Sequence, residues 1–340
     1  MNELTPLTAK DFATDQEVRW CPGCGDYAVL KAVQRTMPEL GVRPENIVFV
    51  SGIGCSSRFP YYMETYGFHT IHGRAPTIAT GIKLANPDLD VWIVTGDGDA
   101  LSIGGNHTMH ILRRNLDCQI LLFNNEIYGL TKGQYSPTSR VGTRSPSTPF
   151  GSVDRPASPS AFALGSGARF VARGIDVNKF LPDVLKAAHN HKGAAFVEIF
   201  QNCIVYNDDV FAPFTAKENA DKQLWLKEGE PMLFANGTKG LTLDRESLSV
   251  RVVDVVDGDW QAAEVIVHHP TNKMIAHMLI DMPFGPFPMA LGVIYEDPAP
   301  TFEAAVAEQN KAASANKTPD LQKLVGKGQS WMVEKEPHAI

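Results

Sequence analysis

Between residues 47 and 200, short and almost uninterrupted apolar runs end abruptly at Gly or Asn: NIVFVSG, DLDVWIVTGDG, CQILLFNN and AAFVEIF. Runs of this kind, rich in Val, Ile and Phe, predict strands buried on both faces, the habit of parallel sheet. Helix-patterned stretches alternate with them, as from Asn106 to Arg114. The pattern therefore predicts an α/β fold, a mostly parallel sheet with crossover helices on both faces. Residues 136–160, SPTSRVGTRSPSTPFGSVDRPASPS, hold too much Pro, Ser and Gly for a regular element. They directly follow a candidate site, so an ordered active-site loop is expected there. After about Phe214 the character changes. Lys and Glu become frequent, SVRVVDVV and AAEVIVHH flank a DGDW turn that predicts a small hairpin, and the residues from Pro300 onward read as a helix and a tail. Two units are expected: 1–215, carrying the site, and 216–340, a C-terminal extension with a small hairpin and helix that serves subunit contacts.

The formal charge of -7 lacks the excess of cations that sequence-independent phosphate binding requires, so neither nucleic acid nor an acidic membrane face is expected as a partner. No run approaches the roughly 20 apolar residues of a spanning helix. The start, MNELTPLTAKDFATDQEVRW, lacks the charged-then-apolar order of a signal peptide, so a cytoplasmic location is expected. Five cysteines in 340 residues do not make a disulfide framework, which belongs to small secreted domains; they favour metal ligands or buried thiols.

The stretch from Asp90 to Leu130 reads as strand (VWIVT), loop (GDGDALSIGG), helix (NHTMHILRRN), strand (CQILLFNN) and loop (EIYGL). Parallel strands joined by one crossover point the same way, so Asp97 and Asn125 arrive at the same carboxyl edge. A carboxylate and an amide oxygen converging beside glycines suit a hard cation such as Mg²⁺, which completes its shell with water and phosphate. Gly96 and Gly98 admit a phosphate close to the main chain, and the next helix offers its positive end.

Four cysteines, Cys21 and Cys24 in a CxxC pair with Cys55 and Cys203 remote, are distributed as for an iron–sulfur cubane. Tetrathiolate zinc is the competing reading, although zinc more often shows two CxxC knuckles. A thioredoxin-like dithiol is disfavoured because the inner order of WCPGC is reversed. Cys118, opening an apolar run, reads as a core thiol. Gly52 to Ser57 resembles a dinucleotide fingerprint, but the third Gly is missing and position 72 is His. His107 and His110 share a helical face and read as solvated or core histidines, and His189 and His191 as surface residues near a helix end.

Gly96-Asp97-Gly98 with Asn124-Asn125 matches the GDG…NN signature of thiamine-diphosphate enzymes. With WCPGCGDYAVL, GIGCSSR, HTIHGRAPTIATGIK and NNEIYGLTKGQYSPTS, residues 17–215 resemble the β subunit of 2-oxoacid:ferredoxin oxidoreductases, and TKGQ is most similar to the 2-oxoglutarate (2-oxoglutarate synthase) type. The resemblance implies that Asp97, the Asn125 side chain and the Ile127 carbonyl hold Mg²⁺, while Gly96, Gly98 and Asp99 line the diphosphate. It implies a cofactor wall from Ile53, Gly54, Cys55, Ser56, His72 and Gly73, with Gly129, Leu130 and Thr131 opposite. His72 and Thr131 would stand at the reacting centre and Lys132 would pair with the substrate carboxylate, where without the resemblance His72 reads as a turn residue and Lys132 as solvated. Cys21, Cys24, Cys55 and Cys203 would hold one [4Fe-4S] cluster.

The implied reaction is thiamine-dependent oxidative decarboxylation of a 2-oxo acid, 2-oxoglutarate by the TKGQ resemblance, with coenzyme A (CoA) giving an acyl-CoA such as succinyl-CoA and CO₂, electrons leaving through the cluster to ferredoxin, and reductive carboxylation in reverse. The activating glutamate and most of the CoA site are expected on a partner α subunit in an (αβ)₂ assembly. The alternatives are a pyruvate or broad-specificity enzyme, a non-redox thiamine enzyme with structural zinc, and a non-catalytic metal scaffold; intact Asp97, Asn125 and Lys132 weigh against the last.

Overall fold

The computed structural model of the chain describes residues 6–315, 318–328, 330, 331 and 333; the end of the expected tail, 334–340, lies outside them. Its centre is an eight-stranded sheet. In chain order the strands are β1 (Ile47–Ser51), β2 (Tyr66–His69), β3 (Asp90–Gly96) and β4 (Cys118–Asn124), then two short strands, β5 (Ile127–Tyr128) and β6 (Gln134–Tyr135), that pair only with each other. After these come β7 (Phe170–Ile175), β8 (Ala194–Phe200), β9 (Gln223–Leu226), β10 (Leu233–Phe234), β11 (Lys239–Asp244), β12 (Ser249–Asp254) and β13 (Met289–Glu296). The sheet order is β2-β1-β3-β4-β8-β7-β13-β9, with β13 antiparallel to β7 and the neighbours from β2 to β7 parallel.

Alternation along each buried strand sends side chains to two cores. Val48 and Val50 join one core, with Ala75 and Ala79 of helix α2 (Ala75–Ala85); Ile47 and Phe49 join the other, with Val29, Val33 and Met37 of α1 (Asp26–Leu40). Helices therefore cover both faces, and the apolar runs are continuous because neither face meets water. The short helix α3 (Asp97–Leu101) begins where β3 ends, so GDGDA is helical where the sequence predicts loop; α4 (Gly105–Arg114) follows as expected. The parallel strands β1, β3, β4 and β8 end at Ser51, Gly96, Asn124 and Phe200, and the segments beginning at Gly52, Asp97, Asn125 and Gln201 leave from one edge of the sheet.

Two expectations fail beyond Phe214. The predicted boundary at 215 does not separate two units, because β9 and β13 belong to the main sheet. The hairpin is also misplaced: β12 pairs with β11, not with AAEVIVHH. The Asp244 carboxylate accepts from Glu246 N (3.0 Å) and Ser247 N (2.9 Å) and so closes the β11–β12 turn, which the DGDW reading overlooks. AAEVIVHH instead runs as irregular chain, and Val265 lies over Gly240, where an added Cβ would come 2.5 Å from Val265 Cγ2. A helix spans Phe302–Ser314, as predicted. Among the described residues no helix is long and apolar enough to cross a membrane.

Candidate active site

The loops at the carboxyl edge enclose a cavity of about 490 Å³. The segment after β1 supplies Ile53, Gly54, Cys55 and Ser56; the β3–α3 junction supplies Gly96, Asp97, Gly98 and Asp99; the chain after β4 supplies Asn125, Ile127, Gly129, Leu130 and Thr131; and His72 completes it. Thus the structure gathers almost all the residues expected around the cofactor. Gly73 is the exception. It is buried behind the wall, where an added Cβ would meet Gly104 at 2.5 Å. A larger cleft of about 580 Å³ opens behind the CxxC loop, but none of the Asp97 loop lines it, so size alone does not identify the site.

Asp97 is 3% exposed, and its Oδ2 accepts from Ser136 Oγ (2.5 Å) and from Thr138 Oγ1. Burial pushes its carboxyl up to about 6 while the two hydroxyls oppose the shift. A buried carboxylate under that penalty gains from a nearby cation, which fits a hard divalent metal. Asn125 Oδ1 accepts from Ile127 N (3.2 Å), and Glu126 between them takes a φ of 55° that turns the chain back sharply. The close approach of Tyr128 makes glycine obligatory at 98, since an added Cβ would lie 2.2 Å from its ring, while its hydroxyl donates to Gly98 O.

Ser136 and Thr138 belong to the Pro/Ser-rich stretch, whose first residues are therefore an ordered part of the site. Thr138 Oγ1 also lies 3.1 Å from Asn124 Oδ1, Asn124 Nδ2 donates to Glu198 Oε1 (2.9 Å), and Glu198 Oε2 accepts from Arg173 Nε (3.0 Å). The carboxylate of Glu198 accepts only, so it fixes which way the Asn124 amide faces.

Asp99 was expected along the diphosphate. It lines the cavity, but its carboxylate is engaged by the protein: Oδ1 accepts from Ile53 N (3.0 Å) and Gly73 N (2.7 Å) and meets His72 Nδ1 (2.6 Å), and Oδ2 accepts from Thr95 Oγ1 (2.7 Å). One carboxylate thus joins three segments of the wall and orients His72. With Nδ1 committed to Asp99, Nε2 is the nitrogen left for a ligand.

Cys21, Cys24, Cys55 and Cys203 line a neighbouring cavity of about 250 Å³. The latter two converge closely: a Cβ at Gly129 would lie 3.5 Å from both Sγ atoms. All are free thiols, and burial pushes Cys55 up to about 12 and Cys24 higher still. Four thiols disposed around a space are a donor set for a polynuclear cluster, whose cations would deprotonate them. Among the described residues no three His, Cys, Asp or Glu groups close on a single-ion site. Cys55, Gly129 and Leu130 line both cavities, which are therefore contiguous.

Lys132 sits on the cysteine side of the shared wall. It lines the cysteine cavity, not the one holding Asp97, and its φ of 79° sets it in the tight β5–β6 turn. Cys118 is fully buried, as predicted. His107 meets Arg74. His191 is a correction, being 1% exposed beside Glu296 and so not a surface residue; His189 is partly buried in the last turn of the helix Leu181–Asn190, stacked on Trp92. After Gly52-Ile53-Gly54 the chain enters a 3-10 helix, Ser56–Tyr62, so no α-helix follows as a dinucleotide site requires. Sequence reasoning missed Asp26, Ser136, Thr138 and Gln201. Asp26 follows the CxxCG run, lines the cofactor cavity, and is pushed up to about 7 by burial.

Residues 52–199 match the family described as thiamine pyrophosphate enzyme, C-terminal TPP binding domain. The chain is 49% identical over 337 residues to a 2-oxoglutarate oxidoreductase subunit KorB of Mycobacterium tuberculosis, covering 97% of this chain and 89% of that one. It is 50% identical over 204 residues to subunit β of 2-oxoacid:ferredoxin oxidoreductase 1 of Aeropyrum pernix, covering 60% and 64%. Among solved structures, a 2-oxoglutarate:ferredoxin oxidoreductase from Magnetococcus marinus, with 2-oxoglutarate, coenzyme A and succinyl-CoA bound, superposes with a TM-score of 0.75 at 32% identity, covering 96% of this chain and 98% of that one. With a near-full-length relative at that identity, and a site assembled as the GDG…NN signature requires, the chain belongs to the family of 2-oxoacid:ferredoxin oxidoreductase β subunits.

Proposed function

We propose that this chain is the β subunit of a 2-oxoglutarate:ferredoxin oxidoreductase. The reaction takes a 2-oxo acid and CoA to an acyl-CoA and CO₂, with the two electrons leaving singly through a [4Fe-4S] cluster to ferredoxin, and it runs in reverse as carboxylation. The observation that carries this reading is the shared wall: Cys55 lines both the cofactor cavity and the cysteine cavity. A carbon centre oxidised in one would thereby lie beside an electron acceptor held in the other.

In this reading Asp97, the Asn125 side chain and the Ile127 carbonyl hold Mg²⁺, and Gly96 and Gly98 let the diphosphate approach the main chain. Thiamine diphosphate bound here would supply the nucleophilic carbon for a 2-oxo acid. The protein's part is to position and to handle protons. Asp99 accepts from His72 Nδ1 and leaves Nε2 to take or give a proton at the reacting centre. Thr131 lines the same cavity, its hydroxyl held by Gln134 Oε1. Lys132, next in the turn, is proposed to meet the substrate carboxylate from the cysteine side. Cys21, Cys24, Cys55 and Cys203 ligate the cluster, and their spread around a cavity supports it over a zinc ion. Ile71 (74% exposed), Ile103 (54%) and Leu130 (53%) lie on the segments that form or adjoin this wall, which suits coverage by a partner α subunit bringing the activating glutamate and the CoA site.

The test is turnover of 2-oxoglutarate with CoA and a viologen acceptor under anaerobic conditions. The chain with its partner subunit should reduce the viologen and form succinyl-CoA, and the chain alone should not. Full turnover by the chain alone, or none by the complex, would overturn the reading.

A further inference from the structure

Gln201 opens the segment after β8 and is 1% exposed. Its side chain joins the two cavities by a directed series of hydrogen bonds. Ile127 N donates to Asn125 Oδ1 (3.2 Å), Asn125 Nδ2 donates to Gln201 Oε1 (2.8 Å), and Gln201 Nε2 donates to Asn202 O (2.6 Å) and to Cys24 Sγ (3.3 Å). The backbone is held as well, since Gln201 N donates to Asn124 O (2.8 Å) at the end of β4. A primary amide has one accepting end and one donating end. Once Asn125 turns its oxygen to Ile127 N, its NH₂ occupies the oxygen of Gln201, and the NH₂ of Gln201 is left facing the sulfur. The donor at Cys24 is therefore preoriented, and its direction is set from the Asn125 side.

We propose that Gln201 is a positioning residue whose N–H···S hydrogen bond to Cys24 raises the reduction potential of the cluster held by the four cysteines. The inference rests on the cluster assignment under the proposed function. Reduction adds one electron, taking [4Fe-4S]²⁺ to [4Fe-4S]⁺, and the added charge spreads over the sulfurs. A donor aimed at one of them stabilises the reduced form more than the oxidised form, which moves the potential up. No bond to Gln201 forms or breaks in this step, and its amide keeps both protons.

The experiment is an electron paramagnetic resonance redox titration, with dithionite as reductant, of the complex with its partner subunit, comparing the wild type with Gln201→Met and Gln201→Glu. Methionine keeps the length and loses the donor. Glutamate keeps an acceptor for Asn125 and places a second acceptor against the sulfur. Both variants should hold wild-type iron and show a midpoint shifted to lower potential, glutamate further than methionine. A merely structural role would lower melting temperature or iron content without moving the midpoint of the iron that remains. A Gln201→Met protein with full iron and the wild-type midpoint overturns the proposal. Should that variant lose its iron, an unchanged or raised midpoint in Gln201→Glu does so instead. Wild-type protein without iron removes the cluster assignment itself, and the role of Gln201 with it, before any variant is made.

Discussion

Thr138→Val removes one hydroxyl and little else, because valine keeps the branching and volume of a side chain that is 4% exposed. Ser136 Oγ and Thr138 Oγ1 are the two side-chain donors to Asp97 Oδ2. A hydroxyl carries one proton, and the carboxylate is a stronger acceptor than Asn124 Oδ1 at 3.1 Å, so the Thr138 proton goes to Asp97. A hydrogen bond to an ionised group contributes about 1.5–3 kcal/mol. Burial already holds the Asp97 carboxyl up at about 6. Removing about 2 kcal/mol from its ionised form moves that titration further up, and the ionised form is the one that binds a cation. The ionised fraction at pH 7, and with it metal-dependent binding of thiamine diphosphate, should therefore fall roughly fourfold and recover at higher pH. Calorimetric titration of the complex with thiamine diphosphate at fixed Mg²⁺ measures this, with Thr138→Ser as the control that restores the hydroxyl. Binding by the valine variant as tight as wild type at pH 7, or a serine variant as weak as valine, refutes the reasoning.

Glu198→Ala leaves Arg173 buried without its partner and should cost about 3–5 kcal/mol in denaturant unfolding; the double variant Arg173→Met, Glu198→Met should recover most of it, and a double variant as unstable as the single one contradicts this account of the pair. Burial holds His268 below its ordinary range, with Nε2 donating to Val293 O, so the folded chain binds fewer protons there than the unfolded chain. Its contribution to stability is present above about pH 6.5 and lost as pH falls below it. Melting temperature should drop from pH 7.5 to 5.5, and drop less in His268→Gln; equal drops count against it. Cys203→Ala should strip iron from the anaerobic protein while Cys118→Ala retains it, and equal iron content in the two would separate Cys203 from the cluster.

The strands around the site were legible because each is buried on both faces and so is written as a continuous apolar run, as in Ile47–Ser51 and Cys118–Asn124. Strand β7, FVARGI, was not, because Arg173 interrupts it; the arginine is tolerated by Glu198 on the adjacent strand, a pairing visible only once β7 and β8 lie side by side. Strand β13 was missed for a related reason, since its partner β7 lies more than a hundred residues earlier. The cavity wall was legible in motif order. What each wall residue touches was not: Asp99 is engaged by backbone amides, His72 and Thr95, and Lys132, in a turn with a left-handed φ, lines the cysteine cavity. Gln201 left no sequence signal at all, because its role depends on Asn125 and Cys24 arriving on either side of one amide.

The most direct measurement is metal and thiamine analysis of the anaerobically purified complex, joined to an electron paramagnetic resonance spectrum after dithionite reduction. The proposed function predicts one thiamine diphosphate and one reducible [4Fe-4S] cluster attributable to this chain, the cluster signal vanishing in Cys55→Ala. Zinc in place of iron, or a cluster signal untouched by Cys55→Ala, would contradict the claim that the two cavities form one redox site.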